Sequence, residues 1–381
     1  MASRRSVIRL LVVCGGFDAL SVLAQPAATS PPAPGVLAAA AARATIGTGA
    51  TRVGLLLPPR FGPFGRAALA VQFGVEAAHQ REGRGLRIEI LEIDDSPQSL
   101  ADAYDALVQR GAAYTIGPLT RNSVTNLARL PRVPVPTLAL NLPEDGVTLP
   151  SEVITFSLAT EVESRAVAQL AFEEARQRIP FFRRPRAVVV AAATPLARRS
   201  AMAFYAAWRE LGGETELPIE LDAQPALELR GLLAASGAEV AFLAMAPEQA
   251  RDVKAALPAR TIAYGTSQLS VGAFSPLLRF PELDGLRLLE MPWQLQPDHA
   301  AVATYAKPPV PYNAELQRLY ALGIDALRIV VQLLSRAEQF ALDGVTGQLR
   351  FDAAQPVRRI ERVPVLAEYR GGAIAPLTQT R

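Results

Sequence analysis

The 381-residue sequence predicts an α/β fold with two Rossmann-like lobes built on parallel sheets. Two observations carry that expectation. Short apolar runs alternate with helical stretches of ten or more residues, the pattern of parallel strands wrapped by helices. That block occurs twice, over residues 53–141 and again over residues 186–267. A chain that repeats a doubly wound unit forms two similar lobes with a cleft between them, which points to binding before any single residue is considered.

The elements follow in order. Residues 1–24 read as an export leader: Arg4, Arg5 and Arg9 form its positive end, residues 10–23 its apolar part, and Val22-Leu23-Ala24 a small-residue cleavage site before Gln25. Ser3 to Arg9 also resembles a twin-arginine motif, with Val7 where phenylalanine is usual, and Asp18 interrupts the apolar part, so the export route stays open. The alternative is a lipoprotein box ending at Cys14, the only cysteine; Val13 before it is bulkier than such a box prefers. Residues 25–51, rich in alanine and proline, read as a linker. Strands are expected at residues 53–57, 88–93, 114–116 and 137–140, then at 187–190, 239–243 and 261–264. Each is a short, nearly unbroken apolar run, as strands buried on both faces require. Over residues 313–336, Leu316, Leu319, Tyr320, Leu327, Val330, Val331 and Leu334 recur at three- and four-residue spacing, which makes a core helix.

Composition narrows the function. Loss of the leader lowers the formal net charge from +3 to about +1, leaving little field to attract nucleic acid or an anionic membrane. The run Arg183-Arg184-Pro185-Arg186 reads as a solvated helix–strand loop. No apolar run reaches bilayer length, so no transmembrane segment is expected in the mature chain. The turn from Pro58 to Gly65 spaces its glycines G-x-x-G, and Pro63 removes an amide that a phosphate would need, so Asp94 and Asp95 after the next strand gain no cofactor meaning. Gly265-Thr266-Ser267-Gln268-Leu269 lacks the second glycine of a nucleophile elbow. His79 and His299, the two histidines, read as solvated and make no metal site with a single cysteine. No catalytic residue, cofactor or metal is expected.

Ile116-Gly117-Pro118-Leu119-Thr120-Arg121-Asn122-Ser123 is more informative, because it joins a strand end to a helix start. Ligands of open α/β sheets bind at such ends. Asn122 and Ser123 either cap the helix or present it to an anion. Thr120, Arg121, Asn122, Ser123, Asn141, Thr194, Thr266, Ser267 and, from the interlobe segment, Trp293 are therefore the candidate cleft residues.

An ordered set of motifs resembles a family. Val53-Gly54-Leu55-Leu56-Leu57-Pro58, Ile116-Gly117-Pro118-Leu119, Leu138-Ala139-Leu140-Asn141, Leu283-Asp284-Gly285-Leu286 running to Glu290-Met291-Pro292-Trp293, Leu319 to Ala326, and Gly344-Val345-Thr346-Gly347-Gln348-Leu349 together resemble the LppC/LpoA family of penicillin-binding-protein activators, over about residues 52–372. The resemblance implies a type I periplasmic binding protein fold, two lobes joined by three crossing segments near residues 154–158, 288–293 and 344. Lobe one would comprise residues 52–156 plus 298–343, and lobe two residues 157–297 plus 344–381. Long family members are outer-membrane lipoproteins with a helical-repeat domain preceding this one. The implied role is a non-enzymatic periplasmic regulator that contacts a class A penicillin-binding protein. The alternative is a periplasmic solute receptor of a transporter, taking an amino acid or other small anion in the interlobe cleft. Thr120 and Ser123 could offer hydroxyls to such a ligand and Arg121 would favour an anion, while no acid is evident beside Thr194 or Thr266.

The processed protein is expected to begin at Gln25 and to be released into the periplasm. Terminal sequencing of material from the native host checks this, and a lipid-modified Cys14 terminus contradicts it.

Overall fold

The computed structural model describes residues 45–221, 226–272 and 278–377. The expected leader, Cys14 and residues 25–44 of the expected linker lie outside the described residues. In the first lobe, β1 (Thr45–Ile46), β2 (Thr51–Leu57), α1 (Gly65–Glu82), β3 (Leu86–Glu92), α2 (Pro97–Gln109), β4 (Tyr114–Ile116), α3 (Arg121–Leu127), β5 (Thr137–Ala139) and β6 (Val153–Thr155) follow in order, with β2 to β5 where strands are expected. The second lobe opens with α4 (Thr160–Arg178), β7 (Arg186–Ala191), α5 (Pro195–Glu210), β8 (Glu214–Thr215), β9 (Ile219–Glu220), α6 (Ala226–Ala235), β10 (Val240–Ala244), α7 (Pro247–Ala256), β11 (Ile262–Gly265) and β12 (Arg287–Glu290). Then come α8 (Pro292–Leu295), α9 (Ala300–Ala303), α10 (Ala314–Leu334), β13 (Gln339–Asp343), β14 (Gln348–Asp352), β15 (Glu361–Val363), β16 (Val365–Arg370) and β17 (Ala373–Pro376).

The two lobes repeat one topology. Strands of the first sheet lie in the order β1-β3-β2-β4-β5-β6, and the core of the second runs β12-β11-β10-β7-β8, with β9 also on β7. From β2 and from β7 onward, both follow the doubly wound order in which the second strand flanks the first and the third lies on its other side. Pairing is parallel throughout these cores, while β1, β16 and β17 add antiparallel edges. The expected linker is therefore corrected at its end: Thr45 and Ile46 pair with Glu89 and Ile88, and Ile46 is buried in the first core.

The lobe boundaries also move. Met291 and Trp293 pack into the first core, as do Val345, Leu349, Phe351 and Ile360. The small antiparallel sheet β13-β14-β15 thus belongs with lobe one, and Ile360 donates its amide to the Thr155 carbonyl at 2.8 Å. The third crossing falls between β15 and β16 rather than at Gly344, because the apolar side chains of β14 have their burial partners in the first lobe.

Helix α10 is the pillar of that lobe. Asn313 caps it, accepting from the Leu316 amide at 2.9 Å. Its buried stripe includes Leu316, Tyr320, Ile324 and Leu327, and it crosses α1 where both helices carry glycine. A Cβ added at Gly74 would stand 2.0 Å from the Tyr320 carbonyl oxygen, and one at Gly323 would stand 2.2 Å from that of Val71. Backbone-to-backbone contact of this kind excludes every other residue type. The second lobe is built around aromatics: Phe204 stacks on Phe242 at 4.3 Å and on Trp208 at 5.5 Å, all three without solvent exposure.

Asp325 is a fully buried acid on α10. Its carboxylate accepts the Val345 amide at 3.1 Å, the Thr346 amide at 2.8 Å and the Thr346 hydroxyl at 2.7 Å, and Arg328 donates to it at 3.1 Å. Removing the acid leaves two buried amides and a buried hydroxyl without their acceptor, while Arg328 keeps Glu82 and the Asp343 carbonyl. We expect Asp325→Ala to cost about 3 to 5 kcal/mol, read as a fall in the urea midpoint. A loss under about 1 kcal/mol would contradict this account of the joint.

Candidate functional site between the lobes

The carboxyl ends of β2, β4, β7 and β10 are the switch points of the two sheets, so the segments after them border the junction. Thr120 follows β4 and caps the seven-residue α3, its hydroxyl oxygen accepting from the Ser123 amide at 3.2 Å. That hydroxyl donates to Asp95, and Ser123 Oγ donates to the same carboxylate oxygen at 2.7 Å. Asp95 therefore has a structural partner set, and both hydroxyls expected to greet a ligand are turned onto it. Gly117 makes the turn possible: its φ is +100°, and a Cβ there would stand 2.3 Å from the Leu56 carbonyl oxygen.

Arg121 does not stand free in the cleft. It donates to Glu161 at 2.6 Å, and Glu161 also accepts from Arg199 at 3.1 Å. Arg121 belongs to a first-lobe helix, whereas Glu161 and Arg199 lie on α4 and α5 of the second lobe. The three form an interlobe bridge. Burial pushes the Glu161 carboxyl up, but its backbone hydrogen bond and the two guanidiniums together hold it below the usual carboxylate range.

Deeper in, the second turn of charges is closed on itself. Glu163 is buried and accepts from Arg362 at 2.7 Å, from Ser267 Oγ at 2.7 Å and from the Ser267 amide at 3.1 Å. Arg318 reaches from α10 into the second lobe, donating to the carbonyls of Ser267 at 2.7 Å and Ser270 at 3.2 Å and to buried Glu290 at 2.6 Å. Glu163 is the acid that inspection of the residues around Thr266 could not supply, since it comes from 104 positions away.

The other expected cleft residues separate. Asn122 and Thr194 are exposed, Thr194 capping α5 by accepting from the Ala197 amide at 3.2 Å. Asn141 donates to the Leu119 carbonyl at 3.0 Å and is half-buried. Thr266 is fully buried and caps the turn at Ser267–Leu269. Trp293 is corrected from rim to core: it is fully buried, its Nε1 donates to Gln317 at 2.7 Å, and its ring meets Tyr320 at 5.3 Å. An apolar ring beside a proline on an interlobe segment carries no sign of which side it will face. Glu161, Glu163, Glu290, Arg318, Asp325 and Arg362 were not singled out as site residues. For Asp325 a signal did exist, a lone acid within an apolar helical run.

No group of three or more His, Cys, Asp or Glu capable of holding a metal occurs among the described residues. His79 is half-buried against the Leu86 carbonyl at 3.1 Å, and His299 caps α9. The arrangement brings paired charges together across two lobes.

The bridge yields a prediction. Glu161→Gln should lower stability by about 1 to 3 kcal/mol and enlarge the radius of gyration in X-ray scattering as the lobes part. A depressed folded pKa contributes stability above the unfolded value and loses it as pH falls through the folded one, so the bridge should hold at neutral pH and fail only in acid. Unchanged melting and scattering in the variant would remove the bridge from any role in lobe position.

Comparison with known proteins places this architecture. The family model described as "LppC putative lipoprotein" matches residues 27–232 and 233–372. Penicillin-binding protein activator LpoA of Enterobacter sp. (strain 638) is 27% identical over 333 residues, covering 75% of this chain and 44% of that protein. The LpoA of Escherichia coli (strain K12) is 25% identical over 337 residues, covering 76% and 48%. The chain thus spans about half the length of the curated relatives it matches. Among solved structures, a "putative branched-chain amino acid ABC transporter" from Chromobacterium violaceum is 36% identical, with a TM-score of 0.68 over 84% of this chain and 99% of that one. The LpoA C-domain from Haemophilus influenzae, described as a regulator of PBP1A, has a TM-score of 0.70 at 20% identity, covering 86% of this chain and all of that domain, a likeness of fold. With a family model covering nearly the whole of both repeated lobes, and two doubly wound sheets of the periplasmic binding protein kind, the chain belongs to the LppC family.

Proposed function

We propose that this chain is a non-enzymatic regulator of the periplasm that stimulates a peptidoglycan synthase, a class A penicillin-binding protein, by direct contact. One observation carries the reading: the polar groups placed to grip a solute between the lobes are spent on each other. Arg121 is held by Glu161, Ser267 and Arg362 by Glu163, and Thr120 and Ser123 by Asp95. A solute would have to break ion pairs that are half or fully desolvated, at a cost no single small ligand readily recovers. Contact through an outer face requires no such rupture. The names of the matched relatives, penicillin-binding protein activators, support the same reading. The export leader supports the periplasm, with release after Ala24 preferred to a lipid anchor at Cys14.

The receptor reading has one observation in its favour, the 36% identical structure named for amino-acid transport. The two separate in solution. Purified protein should raise glycan polymerisation or cross-linking by a class A synthase from the same host, without added solutes and at moderate salt, since a net charge near +1 gives little long-range steering. If every such synthase is unaffected while an amino acid produces a large rise in melting temperature, the receptor reading replaces this one. A solute at one hundred times its dissociation constant stabilises by about 2.7 kcal/mol, which a melting assay resolves.

A further inference from the structure

The loop that joins α4 to β7 lies at the far pole of lobe two. Helix α4 begins at the interlobe bridge with Glu161 and Glu163 and runs 19 residues, so its end is about 27 Å away. Phe181 and Phe182 sit at that end with 85% and 75% of their surfaces exposed. They touch only edge to face, centroids 5.6 Å apart at 83°. Two adjacent phenylalanines left in water at a loop tip oppose the ordinary sorting of large apolar groups.

Their surroundings are cationic. From Arg176 to Arg186 the chain holds five arginines and no acid. Glu239 and Glu214, the acids nearest in the ion-pair pattern, are already bound to Arg183 at 3.0 Å and Arg186 at 2.8 Å. Arg176, Arg178 and Arg184 are exposed and enter no ion pair among the described residues. Arg176 and Arg178 also favour the negative end of α4, but that role needs no neighbouring phenylalanine.

We propose that this loop is a docking surface for an anionic phospholipid bilayer. The geometry fits a headgroup layer better than a protein face. A convex tip of two side chains offers far less than the roughly 800 Å² that each partner of a stable protein complex buries. The same tip can wedge its rings at the acyl boundary while the exposed guanidiniums of Arg176, Arg178 and Arg184 engage phosphates. Because the charge of the whole chain nearly cancels, attraction depends on this local cluster and falls steeply with salt. Vesicle binding through this loop requires no synthase.

Processed protein beginning at Gln25 is sedimented with vesicles of phosphatidylcholine alone or mixed with phosphatidylglycerol. Binding is expected only to the mixed vesicles, with loss at high salt. The double variants Phe181→Ser with Phe182→Ser, and Arg178→Ala with Arg184→Ala, should each lower the partition coefficient at least about tenfold with melting unchanged, since all four residues are exposed. Folded wild-type protein that ignores mixed vesicles overturns the proposal. Variants that bind as wild type also overturn it.

Discussion

Asp325 is the acid on which the packing of the first lobe around α10 depends. A carboxylate with no solvent exposure is tolerated only when its oxygens are saturated, and here two backbone amides, a hydroxyl and a guanidinium saturate them. Because the amides belong to Val345 and Thr346, the acid fixes the segment between β13 and β14 against α10. That segment in turn holds the α8 segment, whose Trp293 amide donates to the Val345 carbonyl at 2.9 Å. The Arg362 guanidinium completes the chain by reaching both the Thr346 carbonyl and Glu163. The second and third crossings are thereby tied to α10.

That helix is itself set by close packing. The crossing of α10 over α1 at Gly323 and Gly74 brings backbones into direct contact, which fixes depth and angle where larger side chains would allow sliding. Rigid placement of α10 matters because Arg318 projects from it into the second lobe. A displacement of one helical residue would leave Glu290, fully buried, without its partner.

The interlobe region therefore carries a set of matched charges. Folds with three crossings can close by hinge motion. In this chain, motion that separates the lobes must part Arg121 from Glu161, Arg362 from Glu163 and Arg318 from Glu290. Desolvated pairs of this kind specify geometry more than they add stability, and they resist replacement by a solute.

Local pattern determined the α/β alternation, the doubling of the unit, β2 to β5, β7, β10 and β11 within about two residues, and the long core helix, while β6, β8, β9 and β12 were not legible in it. Those features are written in spacing, because a buried parallel strand needs a short apolar run and a helix needs its stripe every three or four residues. The same pattern placed Thr120 and Thr194 at strand ends, where the structure finds them capping helices. Only the tertiary structure decided what the polar groups do. Arg121 and Glu161 are 40 residues apart, and Arg362 and Glu163 are 199 apart, so no window of sequence contains either pair. The side on which Trp293 lies, the membership of β14 in the first lobe and the pairing of Thr45 and Ile46 were likewise hidden. Each depends on which distant apolar face is nearest once the chain has crossed between lobes, and hydrophobic burial carries no address of its own.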